Sequence, residues 1–415
     1  MVDITFLGGC REVGKSAVQL AAGSDSFLFD YGIEVQGGKP PIKPAMPLSG
    51  AFITHAHIDH SGMAPQLYRI GYEGSVFATK TSFGLMDILL HDSIKVQKKR
   101  GEKPHFLSTD IEKMLRLAKM TEFNRPVKFK QSQVTLLDSG HIPGSSSILL
   151  ESQGKKVLYT GDIKFMDTKL MKGASIDVRG LDALICESTY SYKDHPERAG
   201  LEEQLRELAQ ETVYNDGHLI VPSFAVGRTQ ELLILLHDLG FPLYLDGMGI
   251  EATEAMLQNP SSVRDGKLLQ KAFSRTRKVL ISKDRKHILD KPCIVVCTAG
   301  MLNGGPVSHY IKKLHDRENC ALCMTGFQVE NTVGRALMDT GRYINEGLDV
   351  KPKMRIEFMD FSAHTDRSHL IDFFKRTKPK KLFLVHGDRT QEFARELQGM
   401  GFDAHAPKNG DKVRV

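Results

Sequence analysis

The stretch Thr54-His55-Ala56-His57-Ile58-Asp59-His60 packs three histidines and a carboxylate into six residues, directly after the short apolar run 50–54. No packing problem calls for that composition. Histidines at i and i+2 project to the same side of an extended segment, so His55 and His57 can grip one metal ion. Asp59 and His60, just past the bend, can face a second ion beside the first. Imidazole plus carboxylate suits zinc, with manganese or iron a poorer match.

A metal site along one edge of a sheet needs its remaining ligands at the ends of other strands, and the chain supplies them. The strand-like run 133–137 ends in Asp138-Ser139-Gly140-His141, and 156–160 ends in Gly161-Asp162. Far downstream, 381–385 ends in His386-Gly387-Asp388, and near the start 26–29 ends in Asp30-Tyr31-Gly32. A Gly-Asp after a strand is, taken singly, an ordinary turn. The recurrence of polar ligand residues at strand ends is what points to one site.

With 415 residues and 41% hydrophobic content, the chain can bury a large core divided into about two or three domains. No apolar stretch reaches the ~18 residues of a membrane span, and Met1 leads straight into a polar-flanked strand, so a cytoplasmic protein is expected. Six cysteines, mostly in apolar runs such as 293–297, read as buried thiols rather than a disulfide framework. Cys320-x-x-Cys323 lies in a strand-like run, 319–325, where residues three apart face opposite sides, which keeps the two sulfurs from sharing a ligand.

The middle of the chain alternates apolar strands with helical patterns. The run 219–223 leads into Gly227-Arg228-Thr229-Gln230-Glu231, and 242–245 into Asp246-Gly247-Met248-Gly249. Likewise 293–298 leads into Gly300-Met301-Leu302-Asn303-Gly304-Gly305-Pro306, and 321–325 into Gly326-Phe327-Gln328 and a helix with Gly334-Arg335. Glycine at each strand-to-helix passage is the rhythm of a parallel α/β sheet. Helix starts at Gly227-Arg228 and Gly304-Gly305 favour anions, and Arg228 and Arg335 add charge-assisted donors, so these residues are candidates for phosphate contacts. Net charge is only +6, from 56 basic against 50 acidic residues, but basic clusters at 95–100, 275–278 and 375–381 suit a phosphate backbone. Without tryptophan and with 7% aromatics, an extensive base-stacking platform is not expected.

The HxHxDH run, His141, Gly161-Asp162 and His386 together resemble the motif set of the metallo-β-lactamase fold. Glu187-Ser188-Thr189-Tyr190 with His195, Phe361-Ser362-Ala363-His364-Thr365-Asp366 and Leu384-Val385-His386-Gly387 resemble the three further motifs of the β-CASP nucleases. The resemblance spans nearly the whole chain, and is strongest to the short archaeal cleavage and polyadenylation factor nucleases without KH domains, related to RNase J. It implies an α/β fold: a metallo-β-lactamase αββα sandwich interrupted by a β-CASP domain. Because ligands as distant as His55 and His386 must meet, the expected boundaries are 1–192 and 358–415 for the metal domain and 193–357 for the insert, which would cover the metal cleft as a lid. The chain's ends, close to the sandwich on both sides, imply no KH domains and no long C-terminal extension.

By the same resemblance, His55, His57 and His141 hold one zinc, Asp59, His60 and His386 the other, and Asp162 bridges; two Zn2+ per chain are expected, with Mn2+ as the alternative. Asp30 orients a ligand. Water activated between the cations attacks phosphorus. His364, paired with Glu187, protonates the departing ribose oxygen. His195 and His309 are weaker candidates for substrate contacts, and Ser191 departs from the glycine common in relatives. A histidine at His386, where members acting on DNA commonly have valine, implies single-stranded RNA as substrate, cut as an endonuclease, a 5′-to-3′ exonuclease or both. The competing readings are a non-catalytic scaffold of an RNA-processing assembly and a DNA nuclease of the same fold. A homodimer and RNA-processing partners are expected from the family, and no membrane association.

Overall fold

The computed structural model describes residues 1–35 and 37–415, and the chain divides into two compact units. The first is built from Met1–Asp167, Lys172–Asp194 and His364–Val415; the second from Thr168–Met171 and His195–Ala363.

The first unit holds two sheets. One runs in the order Lys412–Arg414, Val2–Gly8, Ala17–Ala22, Asp25–Phe29, Gly50–Phe52, Val76–Ala78, Lys119–Met120. The other runs Ala404–His405, Lys381–Val385, Ala183–Glu187, Lys155–Tyr159, Ser146–Ser152, Ser132–Asp138, Val127–Lys128. In each, antiparallel hairpins give way to parallel strands: Asp25–Phe29 onward in the first, and Lys155–Tyr159, Ala183–Glu187 and Lys381–Val385 in the second.

Strand periodicity explains how the second sheet serves two cores. Val157, Tyr159, Ala183, Ile185, Phe383 and Val385 point one way, into a cluster with Val2, Ile4, Phe6, Phe27, Phe29 and Phe52 of the facing sheet. Their neighbours Leu158, Leu184, Cys186, Leu382 and Leu384 point the other way, against Leu370, Phe373 and Phe374 of helix Arg367–Thr377 and Phe393 and Leu397 of helix Thr390–Gly399. Burial on both faces is why these strands read as unbroken apolar runs rather than as alternation.

The second unit carries a parallel sheet in the order Arg277–Val279, Leu243–Asp246, Cys293–Cys297, His218–Pro222, Ala321–Met324, Arg355–Phe358. One face packs on Val307, Tyr310, Ile311 and Leu314 of helix Pro306–Leu314 and on Leu337 of helix Val333–Thr340. Cys320, Leu322 and Met324 belong to that cluster and the buried Cys323 does not, so the two cysteines face opposite ways and all six thiols are free and buried.

This unit reaches beyond residue 357. Arg355–Phe358 is the edge strand of its sheet, Met359 N donates to Met324 O at 2.9 Å, and the Phe361 ring lies under the Arg198 and Arg228 guanidiniums. Residues 168–171 join it because Arg264 donates to Leu170 O at 2.8 Å through its backbone and to Thr168 O at 3.0 Å through its side chain.

Candidate metal centre

The strands of the first unit deliver their ligand residues at one end. Gly50–Phe52 runs into His55, His57, Asp59 and His60; Ser132–Asp138 into His141; Lys155–Tyr159 into Asp162; and Lys381–Val385 into His386. Asp30 and His386 hold left-handed backbone, with φ of 56° and 49°. Such conformations persist in non-glycine residues where surrounding structure over-determines them. Around Asp30 that structure is tight: a Cβ on Gly32 would lie 1.7 Å from Asp59 O.

Four ligand atoms converge first. His55 Nε2 lies 3.1 Å from His57 Nδ1, which lies 3.3 Å from His141 Nε2, and Asp162 Oδ2 is 3.5 Å from both His55 Nε2 and His141 Nε2. A tetrahedron with ligand bonds of ~2.05 Å has edges of about 3.3 Å, so the spacing fits one four-coordinate cation. Imidazole nitrogens that converge this closely on a carboxylate cannot all be satisfied by each other's protons. A second set lies alongside: His60 Nε2 is 3.2 Å from Asp162 Oδ1 and 3.9 Å from Asp59 Oδ2, which is 3.2 Å from His386 Nε2. Asp162 Oδ1 is buried without a well-aligned hydrogen-bond partner among the described residues, as an oxygen reserved for a cation would be.

The rings are held from behind. Asp30, fully buried, accepts from Thr54 N at 2.7 Å, Thr54 Oγ1 at 2.8 Å, Tyr159 OH at 2.9 Å and His60 Nδ1 at 2.7 Å. That leaves His60 Nε2 for the site, the usual arrangement of a carboxylate behind a metal-binding histidine. Thr54 Oγ1 also meets His55 Nδ1 at 3.0 Å, and Thr189 Oγ1 meets His386 Nδ1 at 3.1 Å. Thr54, Tyr159 and Thr189 were not singled out in the sequence; the signal available was a hydroxyl at the inner end of a buried strand.

Electrostatics divide the imidazoles: burial would lower His60 and His386, but the carboxylates, Asp162 foremost, hold both above the ordinary imidazole value. Burial pushes the His55 and His57 imidazoles down, toward the neutral form that ligates. Burial would raise Asp162 and Asp59, but the surrounding imidazoles, His60 foremost, hold both below the usual carboxylate range.

Beside the cluster, His364 Nδ1 is 3.0 Å from both oxygens of Glu187 and 3.9 Å from Asp162 Oδ2. Burial lowers its pKa, and the carboxylates, Glu187 foremost, override that and raise it to about 9. Glu187 is itself fixed by Ile163 N at 2.8 Å and Thr189 Oγ1 at 2.6 Å. Lys164, buried, donates to His364 O at 3.1 Å, and Thr365 N donates to Ile163 O at 2.7 Å. The segment 162–164 therefore carries the shared carboxylate and fastens the His364–Glu187 pair.

The remaining candidates lie in the second unit. Arg228 is buried at the start of helix Arg228–Leu236 and ion-paired with Glu231, which also pairs with Arg198. The backbone donors there are engaged: Gly227 N with Gln230 Oε1 at 2.7 Å, Arg228 N with Val226 O at 3.1 Å and Thr229 N with Phe224 O at 3.2 Å. A phosphate at this helix start would have to displace those partners, which the sequence did not anticipate. His195 Nδ1 lies 4.0 Å from Asp360 Oδ2. Gly304 and Gly305 hold φ of 128° and 81° ahead of helix Pro306–Leu314, and His309 lies within that helix, edge-on to Tyr310 at 5.4 Å. Arg335 is half exposed and pairs with Asp339 at 2.8 Å.

Comparison with known proteins bears on the fold and the family. Residues 229–337 match a Beta-Casp domain, and residues 349–407 a Zn-dependent metallo-hydrolase RNA specificity domain. The chain is 34% identical to the probable RNase MJ4 of Methanocaldococcus jannaschii over 100% of both chains. It is 34% identical to RNase aCSPSF2 of Saccharolobus solfataricus over 99% of this chain and 85% of that one. It is 31% identical to the transcription termination factor FttA of Methanocaldococcus jannaschii, over 100% of this chain and 72% of that one. A crystal structure of a protein of unknown function from Enterococcus faecalis V583 shares the fold, with TM-score 0.64, 13% identity and 99% of both chains covered. The fold is a metallo-β-lactamase sandwich with a β-CASP insertion, and the chain belongs to the β-CASP family of metallo-hydrolases that includes these archaeal RNases and termination factors.

Proposed function

We propose that this chain is a zinc-dependent ribonuclease that hydrolyses phosphodiester bonds of single-stranded RNA. The observation that carries the reading is the set His55, His57, His141 and Asp162 beside the set Asp59, His60 and His386, with Asp162 Oδ1 reaching His60 Nε2 at 3.2 Å and the His364–Glu187 pair against them. His55, His57, His141 and Asp162 Oδ2 would hold one cation, and Asp59, His60, His386 and Asp162 Oδ1 the other. Two zinc ions, or manganese, would acidify a water for attack on phosphorus and neutralise charge on its non-bridging oxygens.

The protein's own residues do the rest. Glu187 holds His364 through Nδ1, which leaves the Nε2 proton for the departing ribose oxygen. Asp30, Thr54 and Thr189 fix the ligand rings so that no reorganisation is needed as charge develops. We assign 195–363 as the β-CASP insert, and Arg228, Gly304, Gly305, His195, His309 and Arg335 as its candidate RNA contacts, Arg228 by exchanging Glu231 for phosphate. The proposal extends to a cytoplasmic homodimer, whose mass light scattering would report.

The test is incubation of the zinc-loaded protein with one RNA labelled at the 5′ or 3′ end, carrying a 5′-monophosphate or a 5′-triphosphate, beside a His57→Ala control and a matched DNA. Internal fragments that ignore the 5′ group, absent in the control, establish an endonuclease. Mononucleotides released only from the monophosphate establish a 5′-to-3′ exonuclease. Cleavage of DNA in preference to RNA, or no cleavage at full metal occupancy, sinks the ribonuclease reading.

A further inference from the structure

Between Glu187 and the end of its segment the sequence reads Ser188-Thr189-Tyr190-Ser191-Tyr192-Lys193. The Tyr190 ring, buried, lies 6.2 Å from the His364 imidazole. Tyr192 follows one step outward, its ring 6.1 Å from that of Tyr190 and inclined only 15° to it. Unlike Tyr190, Tyr192 is 42% exposed, and among the described residues it belongs to neither of the two core clusters named above.

Cations gather on this ring. The Arg389 guanidinium sits over it at 4.8 Å, and Lys193 Nζ lies 6.0 Å from its centre and 5.2 Å from that of Tyr190. Arg389 is exposed and comes from the segment just after His386. The platform is anchored at its base: Tyr190 bridges to Asp366, Arg367 N donates to Lys193 O at 3.2 Å, and Asp194 accepts from Ser368 N and Oγ at 2.8 Å each.

An exposed aromatic plane, an exposed guanidinium plane and an ammonium, stepping away from the proposed proton donor, match what one nucleotide offers: a flat base and an anionic link. Unpaired bases stack on tyrosine rings and arginine planes alike. We propose that Tyr192, Arg389 and Lys193 form a nucleotide subsite next to the scissile phosphate, with an unpaired base stacked at the Tyr192–Arg389 pair and its phosphate held by the two cations. This rests on the ribonuclease reading. The subsite is expected to take any base, because every base has a π face.

The experiment compares wild type with Tyr192→Ala and Tyr192→Leu, all checked for two zinc ions per chain, on an RNA in which each nucleotide around the cleavage position is made abasic in turn. On intact RNA both variants should raise KM about 5- to 150-fold with kcat nearly held, since one stacked base contributes ~1–3 kcal/mol. In wild type one abasic position should carry a similar penalty, and in the variants that same position should cost nothing more, as two ends of one contact do. Cleavage with unchanged KM in both variants, or an abasic penalty that persists in them, overturns the subsite alone. Wild type that leaves RNA whole at full occupancy overturns the ribonuclease reading, and the subsite with it.

Discussion

Within its own ligand set His57 presents Nδ1 where His55 and His141 present Nε2, 3.1 Å from His55 Nε2 and 3.3 Å from His141 Nε2. Removing it should empty the first position and leave Asp162 with one neighbour set. His57→Ala is expected to bind about one zinc per chain and lose nearly all cleavage; two tightly held zinc ions by elemental analysis would refute that ligand set. Glu187→Gln tests a different layer. The amide keeps the shape but loses the charge that sustains imidazolium at His364, so turnover should fall about 100-fold with both metals retained, within the range of general acid–base contributions. A loss of zinc in this variant would instead mark Glu187 as a ligand, since its carboxylate lies within reach of Asp162 and His386. At this scale the sequence was legible where side-chain type is diagnostic: histidines and aspartates at strand ends. It was silent on Thr54, Thr189 and Tyr159, whose hydroxyls become informative only once folding places them behind a ligand. Nor does an arginine at a helix start announce its partner: Arg228 is paired with Glu231 one turn along the same helix, so a phosphate there would have to take that carboxylate's place.

Strands and helices were more legible than their packing. The run 381–385 forms a strand with those very bounds, and 133–137 and 156–160 are strands shifted or extended by a residue, because a run of strand-forming residues between turn residues marks a strand whether it is parallel and buried, as at Lys381–Val385, or antiparallel and alternately buried, as at Ser132–Asp138. What the run hides is which face each residue serves. Leu384 points to the helix layer and Phe383 into the sandwich, a division fixed by register with Cys186 and Ile185. Leu384→Ala should therefore cost about 2–5 kcal/mol in urea unfolding; a loss below about 1 kcal/mol would place that side chain outside the core. Asp182, at the start of the neighbouring strand, accepts from Lys380 Nζ at 2.9 Å, Lys155 Nζ at 3.0 Å and Lys156 N at 3.0 Å. Burial alone would raise it, but these donors bring it down to about 2, from an ordinary 3.8. A depressed carboxyl contributes stability that is full above its unfolded value and vanishes as pH falls through the folded one. Asp182→Asn should thus be less stable by about 1–3 kcal/mol at pH 7, with the gap closing between about pH 4 and pH 2. A gap independent of pH would attribute the loss to shape rather than charge.

For the molecule as a whole, the two units place different demands on the metals. The first gathers imidazoles and carboxylates from segments as far apart in sequence as Asp30, His141 and His386, and His386 lies 3.2 Å from Asp59 across 327 residues. Without cations, the converging nitrogens and the buried Asp162 Oδ1 are left facing one another, and the loops that carry them have lost what justifies their geometry. The second unit draws its cohesion from the parallel sheet and its apolar faces, where Cys293–Cys297 and His218–Pro222 are buried along their whole length. Chelation should therefore act on stability by mass action, since ions that bind only the folded state contribute about 4 kcal/mol at a thousandfold excess over Kd, and its local effect should be uneven. Amide hydrogen exchange on the chelated protein is expected to speed up at 54–61, 139–145, 161–165 and 386–390, while the strands of the second unit keep their protection. Readdition of zinc should reverse it. Uniform loosening of both units would show that the metals sustain the whole chain, and unchanged exchange in those four segments would mean that the ligand loops are held by their hydrogen bonds alone, with the cations contributing chemistry but no structure.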